Sequence, residues 1–210
     1  MTENDARELI ATLGKSIFDR GLTHGSSGNI SMRVDSGWLM TPTNSALGRL
    51  DPAAISLLNA EGELMSGDPP TKEAFLHFEM YKQRSETGAV VHLHATHSVA
   101  VSCLKGIDPE NVLPAITAYH VMKVGRLPLV PYYPPGHSDL AKAVGQRAAK
   151  HHAVLLANHG PVVAGKSLED AINIMEELEQ TAKLYLMLGN RTYRTLSSQQ
   201  IAEIERHFKG

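Results

Sequence analysis

The stretch AVVHLHATH, residues 89–97, sets two histidines at the end of a short β-branched run. Side chains at positions i and i+2 of a strand lie on the same face, so His92 and His94 can bind one ion. A second apolar run, VLLANHG at residues 154–160, contains His159, which can supply a third imidazole nitrogen. Three histidines with room for a carboxylate and a substrate oxygen predict a catalytic site for a divalent metal.

The alternative is that these histidines are structural. The chain has 11 histidines in 210 residues, and about half an H-x-H pair is expected by chance, so the pair alone decides nothing. Both apolar runs nevertheless end where α/β enzymes often place functional groups. We interpret five other histidines as surface or packing residues, with His97 a weak competitor for a ligand role: His24, His97, His137, His151 and His152.

Length and composition favour one domain over residues 1–210. The net charge is −2, and no basic tract indicates binding to nucleic acid. The single cysteine, Cys103, excludes an internal disulfide and is typical of a cytoplasmic protein. The opening MTENDARE is unlike a signal segment, and no apolar run approaches the ~20 residues that span a membrane. We therefore expect a cytoplasmic protein that binds neither nucleic acid nor membranes.

Hydrophobic periodicity predicts helices interleaved with strands. Helices are predicted at residues 5–20, from 71 onward, at 99–104, 138–151 and 168–188, and at the end of the chain. Strands are predicted from residue 30 and at 37–40, 55–58, 63–65, 89–94, 154–157 and 161–164. The Pro-rich segment 107–135 has no clear assignment apart from a turn in YYPPGHS, residues 132–138. This pattern predicts a single-domain α/β sandwich with a mainly antiparallel sheet.

Glu73 opens the helix that follows Pro69 and Pro70. A carboxylate at a helix start is stabilised by the helix dipole, so a structural charge explains it without any function. Beside a metal, the same carboxylate can be both a ligand and a proton acceptor. Thr71 and Lys72 can bind a phosphate or carboxylate at this helix start, or they are a capping threonine and an exposed lysine.

Two loops have the chemistry of an anion site. In Gly25–Asn29, glycine lets backbone amides approach an anion, although the GK[ST] ending of a P-loop is missing. The turn Thr41–Asn44 has similar chemistry, and a plain hairpin-entry loop is the alternative for both. Tyr119 is a candidate proton donor, or a tyrosine that packs with its hydroxyl in water.

The order of these motifs resembles the class II aldolase/adducin family. The motifs are SGNIS at residues 27–31, the TPT turn at 41–43, Glu73 after its Pro-rich lead, the H-x-H strand and NHG. The resemblance runs from about residue 9 to residue 188. It implies a three-layer α/β/α sandwich around a mostly antiparallel, nine-stranded sheet, assembled as a C4 homotetramer with active sites between subunits.

The resemblance also implies a set of site residues. One Zn²⁺ per subunit, or another divalent ion such as Mn²⁺ or Co²⁺, is expected on His92, His94, His159 and Glu73, with Glu73 also acting as the acid/base. Tyr119 matches a tyrosine donor that reaches in from a neighbouring subunit. The implied phosphate site consists of Gly28, Asn29, Thr43, Asn44, Thr71 and Lys72.

Departures from the family pattern narrow the expected activity. Aldolases similar to fuculose-phosphate aldolase have Ser-Ser in place of Thr71-Lys72 and Thr-Gly or Ser-Gly in place of Thr43-Asn44, and epimerases of the family have aspartate in place of Glu73. The Thr-Lys-Glu variant resembles the family's 3-oxo-tetronate 4-phosphate decarboxylases. This implies that a small phosphorylated sugar acid of four-carbon acid catabolism is converted to dihydroxyacetone phosphate and CO₂ through a metal-stabilised enediolate.

Two other functions stay open at this point. An aldolase would keep the metal and release dihydroxyacetone phosphate with an aldehyde. A non-catalytic, adducin-like interaction domain would lack a metal ligand, whereas this sequence has all three histidines and Glu73.

Overall fold

The computed structural model describes residues 1–134 and 136–208, and these contain one sheet and seven α-helices. The strands are β1 (Asn29–Val34), β2 (Gly37–Met40), β3 (Ser56–Leu58), β4 (Leu64–Ser66), β5 (Ala89–His92), β6 (Leu129–Val130), β7 (Ala153–Leu156) and β8 (Gly160–Gly165). The helices are α1 (Glu3–Asp19), α2 (Ala74–Gln83), α3 (Thr96–Ser102), α4 (Ala118–Lys123), α5 (Ser138–Ala148), α6 (Leu168–Leu188) and α7 (Ser198–Phe208).

The sheet has the strand order β4-β3-β2-β1-β5-β8-β7-β6. Only the β6–β7 pair is parallel, so the prediction of a mostly antiparallel sheet is confirmed. The expected number of nine strands is corrected to eight in the described residues. A further pairing of Pro42 with Pro70 stays an isolated bridge, because proline has no N–H with which to extend a ladder.

Helices cover both faces of the sheet. Val91 of β5 belongs to an apolar core shared with α1, α3 and α6, whereas its neighbour Val90 belongs to a second core shared with α2 and α5. Side chains alternate between the two faces of a strand, so adjacent residues enter different cores. β5, β7 and β8 are buried throughout, which explains why these strands are continuous apolar runs in the sequence.

Several predicted boundaries shift in the structure. The helix expected from Thr71 begins at Ala74, since residues 71–73 form a turn in which the N–H of Ala74 donates to the carbonyl of Thr71. The helix expected at 99–104 spans Thr96–Ser102. The Pro-rich segment without an assignment contains α4 and β6, which are only six and two residues long and give little periodic signal. The turn expected in YYPPGHS includes Pro135, which lies outside the described residues.

Among residues 1–134 and 136–208, no helix combines the length and apolar character needed to cross a bilayer.

Candidate metal centre

His92 ends the central strand β5 and is fully buried. Its neighbours in the sheet are Asn29 of β1 and Val162 of β8. The Nδ1 atom of His92 donates a hydrogen bond of 2.8 Å to the carbonyl of Pro161. A histidine that donates from Nδ1 keeps the lone pair on Nε2, which fixes both the tautomer and the direction of the nitrogen available to an ion.

His94 lies beyond the end of β5. The strand expected over residues 89–94 stops at His92, and the N–H of Leu93 makes a last contact of 3.4 Å with the carbonyl of Pro161. Proline cannot return the reciprocal hydrogen bond, so the ladder with β8 cannot continue. α3 begins at Thr96, so His94 lies in the short connection between β5 and α3.

His159 is held by the three-residue connection between β7 and β8. The preceding Asn158 has a φ of 56°, in the left-handed region that asparagine tolerates better than most residues. A Cβ on the following Gly160 would overlap the carbonyl oxygen of Leu93. The Asn-His-Gly order is therefore what a tight turn against the end of β5 requires.

The four predicted ligands converge. One ligand atom from each of Glu73, His92, His94 and His159 lies within 4.8 Å of all the others. The Nε2 atom of His159 is 2.9 Å from that of His94 and 3.3 Å from that of His92. Glu73 lies opposite, with Oε1 3.2 Å from His159 Nε2 and Oε2 3.5 Å from His92 Nε2.

The donor chemistry of this cluster fits a divalent cation. Three imidazole nitrogens and one carboxylate form a set that Zn²⁺ and related ions bind, and three protein nitrogens with a removable carboxylate are typical of catalytic rather than closed sites. The protonation state of two of these histidines also suits a metal. Burial lowers the pKa of His92 to about 4. Burial lowers the pKa of His94 as well, so both rings are neutral and able to bind a metal at neutral pH.

Glu73 is ionised in this environment. Burial alone would raise its pKa, but hydrogen bonds from His159 and Asn29 outweigh burial and hold the pKa well below its usual range. Its position at the start of α2 also favours the negative charge. The cluster thus offers three imidazole nitrogens and one carboxylate, which suits a dipositive ion.

A cavity of about 380 Å³ opens beside the histidines. It is lined by His24, His94, Thr96, Val99, Asn158 and His159. His24 was interpreted as a surface or packing residue, and it is exposed but also faces this cavity. His97 instead hydrogen-bonds Glu179 through Nδ1, at 2.7 Å, and is outside the four-residue cluster.

The residues expected to bind phosphate lie on three adjacent segments. The N–H of Thr43 donates to the carbonyl of Pro69, and the N–H of Thr71 donates to the carbonyl of Thr41. The hydroxyl of Thr41 accepts from the N–H of Ile30, which brings the Gly28–Asn29 loop alongside. Lys72 is exposed, as is Asn44, which has a φ of 59°.

Asn29 has a contact that the sequence did not suggest. It is 4% exposed, and its Nδ2 donates a hydrogen bond of 2.8 Å to Oε2 of Glu73. Gly28 precedes it with a φ of 82°, and a Cβ there would press against Leu93 and the carbonyl of His92. The SGN motif therefore also packs the loop against the end of β5, which carries His92 of the cluster.

Tyr119 lies apart from the ligand-bearing strand ends. It is on α4, which packs against α6 and α7, and its side chain is 63% exposed. The exposure leaves its hydroxyl available to a second molecule.

Sequence reasoning missed His77, Ser31 and Tyr81, which adjoin Asn29 in the interior. The spacing of these residues in the sequence could have indicated them. Glu73, His77 and Tyr81 are spaced at i, i+4 and i+8, and therefore share one face of α2. Asn29 and Ser31 are spaced at i and i+2, and therefore share one face of β1.

Comparison with known proteins adds independent findings to this geometry. The model of the class II aldolase and adducin N-terminal domain matches residues 8–186. The chain belongs to the class II aldolase/adducin family. This confirms the resemblance that the order of the motifs indicated.

Relatives within this family are similar over nearly their whole length. The 3-oxo-tetronate 4-phosphate decarboxylase of Escherichia coli strain K12 is 49% identical over 203 residues, which are 96% of each chain. The crystal structure of YgbL from Escherichia coli has 48% identity and a TM-score of 0.94, and the match covers 96% of this chain and 98% of that one. The L-fuculose phosphate aldolase of strain K12 is 33% identical over 97% of this chain and 94% of its own.

Proposed function

We propose that this class II aldolase/adducin family member is a metal-dependent 3-oxo-tetronate 4-phosphate decarboxylase, with residues 1–210 forming one catalytic domain. The observation that carries the proposal is the 49% identity to the Escherichia coli decarboxylase over 96% of both chains. The converged cluster of three histidines and Glu73 supports it, because a non-catalytic relative would not need this set of ligands.

The proposed substrate has a carboxylate at C1, a hydroxyl at C2, a carbonyl at C3 and a phosphate on C4. Loss of CO₂ breaks the C1–C2 bond, and its electron pair moves into the C2–C3 enediolate. A proton added at C2 then gives dihydroxyacetone phosphate. A divalent ion held by His92, His94, His159 and Glu73 supplies a Lewis acid that favours negative charge on the C3 oxygen.

Glu73 is the proposed acid/base. It is the carboxylate beside the histidines, and its Oε2 already accepts a hydrogen bond from Asn29, which leaves Oε1 on the side of His159. A carboxylate in this position can take up a proton and deliver it to C2. Tyr119 of a second copy is the other proposed donor, in a homotetramer with active sites between subunits.

The proposed phosphate site is the group of three adjacent segments described above. Its residues are Gly28, Asn29, Thr43, Asn44, Thr71 and Lys72. Lys72 provides the cation of this group, and its exposure is what contact with a dianionic ligand requires. We assign Lys72 to the phosphate rather than to the carboxylate, because holding the carboxylate in its ionised form would slow the loss of CO₂.

A second candidate is an aldolase for a short sugar phosphate. The 33% identity to L-fuculose phosphate aldolase favours it, since this relative also matches over most of both chains. Such an enzyme would reach the same enediolate by breaking a C–C bond to an aldehyde, and the cluster of ligands would be the same.

The deciding experiment measures CO₂ and dihydroxyacetone phosphate together. Protein loaded with Zn²⁺, Mn²⁺ or Co²⁺ is incubated with the D and L forms of 3-oxo-tetronate 4-phosphate, and an EDTA-treated sample is the control. Equal amounts of both products that are lost on chelation support the decarboxylase. If no CO₂ is released while dihydroxyacetone phosphate condenses with small aldehydes, the aldolase is the correct function.

A further inference from the structure

A row of hydrogen bonds leads from Glu73 into the interior of the protein. Asn29 connects the two, since its Nδ2 donates to Glu73 at 2.8 Å and its Oδ1 lies 2.6 Å from Nε2 of His77. Beyond the ring, Nδ1 of His77 lies 2.7 Å from the hydroxyl of Ser31. The same hydroxyl is 2.9 Å from that of Tyr81.

The members of this row are out of reach of water. His77 and Ser31 are completely buried, and Asn29 and Tyr81 are each 4% exposed. Buried polar groups must be paired, and a row that pairs all of them has one rigid arrangement. A purely structural polar core would have the same burial. The direction of the hydrogen bonds is what links this row to Glu73.

Glu73 determines the direction of the first bonds. A carboxylate only accepts hydrogen bonds, so the amide nitrogen of Asn29 must face it and the amide oxygen must face His77. The Nε2 atom of His77 therefore carries the hydrogen. If this hydrogen were on Nδ1 instead, the amide of Asn29 would have to rotate and direct its oxygen at the carboxylate.

The far end of the row holds the ring in this tautomer. Nδ1 of the neutral ring accepts from the hydroxyl of Ser31, whose oxygen in turn accepts from the hydroxyl of Tyr81. Burial lowers the pKa of His77 to about 3, which agrees with a neutral ring. Each group in the row thus donates its hydrogen to the next group on the way to Glu73, and the last donor is the N–H of Asn29.

We propose that His77 is a positioning residue for Glu73, and that it acts through Asn29. By donating to the amide oxygen, His77 keeps the N–H of Asn29 on Oε2 and leaves Oε1 directed at the histidine cluster. The proposal rests on the metal site of the proposed function, but not on the identity of the substrate. It predicts that changing His77 alters how the cluster binds an ion, although His77 is not one of the four ligands.

The test uses Co²⁺ alone, titrated into the metal-free full chain and followed by visible absorption. In His77→Gln the amide nitrogen can take the place of Nε2 and still donate to Asn29, whereas in His77→Asn the shorter amide reaches only toward Ser31. Leu76→Ala is the matched control, because Leu76 is a fully buried neighbour on the same helix and only apolar packing is lost.

We expect His77→Asn to weaken Co²⁺ binding about 10-fold and to shift its absorption bands, as loss of a group that orients a ligand does. His77→Gln should stay within about 3-fold of the unchanged protein and restore the spectrum, since the donor to Asn29 is kept. The proposal is overturned if folded His77→Asn binds Co²⁺ like the unchanged protein. It is also overturned if both variants lose no more affinity than Leu76→Ala at equal loss of stability.

Ser31→Ala provides a second measurement if His77→Asn does not fold. It removes only the hydroxyl that donates to Nδ1, and nitrogen NMR of the imidazole reports which nitrogen carries the hydrogen. We expect the Nε2–H tautomer in the Zn²⁺-loaded protein and a mixture in Ser31→Ala, with weaker Co²⁺ binding. A ring protonated on Nδ1 in the unchanged protein refutes the proposal. These readouts involve no substrate, so they remain decisive even if no CO₂ is released in the decarboxylase assay.

Discussion

The Nε2 atoms of His94 and His159 lie 2.9 Å apart, although the two residues are 65 positions apart in the sequence. Two imidazole nitrogens at this distance either share one hydrogen or direct their lone pairs at one cation between them. Binding of an ion by this pair therefore needs both rings. We expect the loss of one ring to abolish most of the binding.

Replacing His159 with alanine should remove the metal and nearly all turnover while the subunit still folds. The turn around Asn158 is held by backbone conformation rather than by the imidazole. Metal content by elemental analysis, circular dichroism and turnover check this together. Added Zn²⁺ should stabilise the unchanged protein by about 4 kcal/mol at 1,000 times the dissociation constant, and the variant hardly at all. Full activity in a verified metal-free variant would refute the Lewis-acid role.

Glu73→Gln should separate metal binding from proton transfer. The amide keeps one oxygen as a weak ligand beside three intact histidines, so much of the metal should remain bound. The variant cannot take up and release a proton, and we expect kcat to fall about 100-fold or more. Metal content measured beside kcat decides the matter, and a fall in kcat that only follows loss of metal would contradict the assignment.

Lys72→Ala should raise KM for the phosphorylated substrate, by about 10-fold, with little change in kcat. The reason is that a phosphate held equally well before and during the reaction contributes to binding but not to the chemical step. Lys82→Ala is the matched control, because Lys82 is an exposed lysine on α2 whose one ion-pair partner among the described residues, Glu79, lies at 3.8 Å. A collapse of kcat at unchanged KM in Lys72→Ala would instead place this lysine at the reacting carbons.

His120 should make the protein sensitive to mild acid. It is 1% exposed, neither ring nitrogen has a hydrogen-bond partner among the described residues, and burial lowers its pKa to about 4 from the 6.5 of an ordinary histidine. The unfolded chain therefore binds a proton at a pH where the folded chain does not, so this contribution to stability is lost as the pH falls from about 6.5 toward 4.

The size of this effect can be measured with His120→Leu. Between pH 7 and pH 5 the unchanged protein should lose about 2 kcal/mol more of its free energy of unfolding than the variant does. Urea unfolding at both pH values, at one protein concentration and with a chelator present, gives the comparison. Parallel losses in the two proteins would show that His120 does not account for the acid sensitivity.

The histidines of the cluster could be predicted from sequence because each part of this pattern is local. The H-x-H pair needs only the end of one strand, and Asn158-His159-Gly160 needs only one tight turn. The predicted convergence of His92 and His94 is found, although β5 ends at His92 and not at His94. The prolines at positions 42 and 70 likewise explain why the pairing between them does not add a strand.

The surroundings of Glu73 could not be predicted in the same way. The contact between Asn29 and His77 joins residues 48 positions apart, and it depends on how α2 is rotated against the sheet. That rotation is determined by the packing of many apolar side chains and not by any short motif. The helical spacing of Glu73 and His77 was visible in the sequence. Its connection to the histidine cluster could not be inferred without the register of β1 against β5, which places Asn29 beside His92.

The carbonyl of Pro161, on which His92 depends, belongs to the backbone of a buried strand, whereas Lys72 and Asn44 are exposed on loops. Mutation can replace a loop side chain freely, but it cannot delete a main-chain oxygen. Substitution of a side chain in β8 therefore leaves the acceptor that orients His92 in place. The proposed phosphate contacts of Lys72 and Asn44 have no such protection, because a single substitution removes each of them.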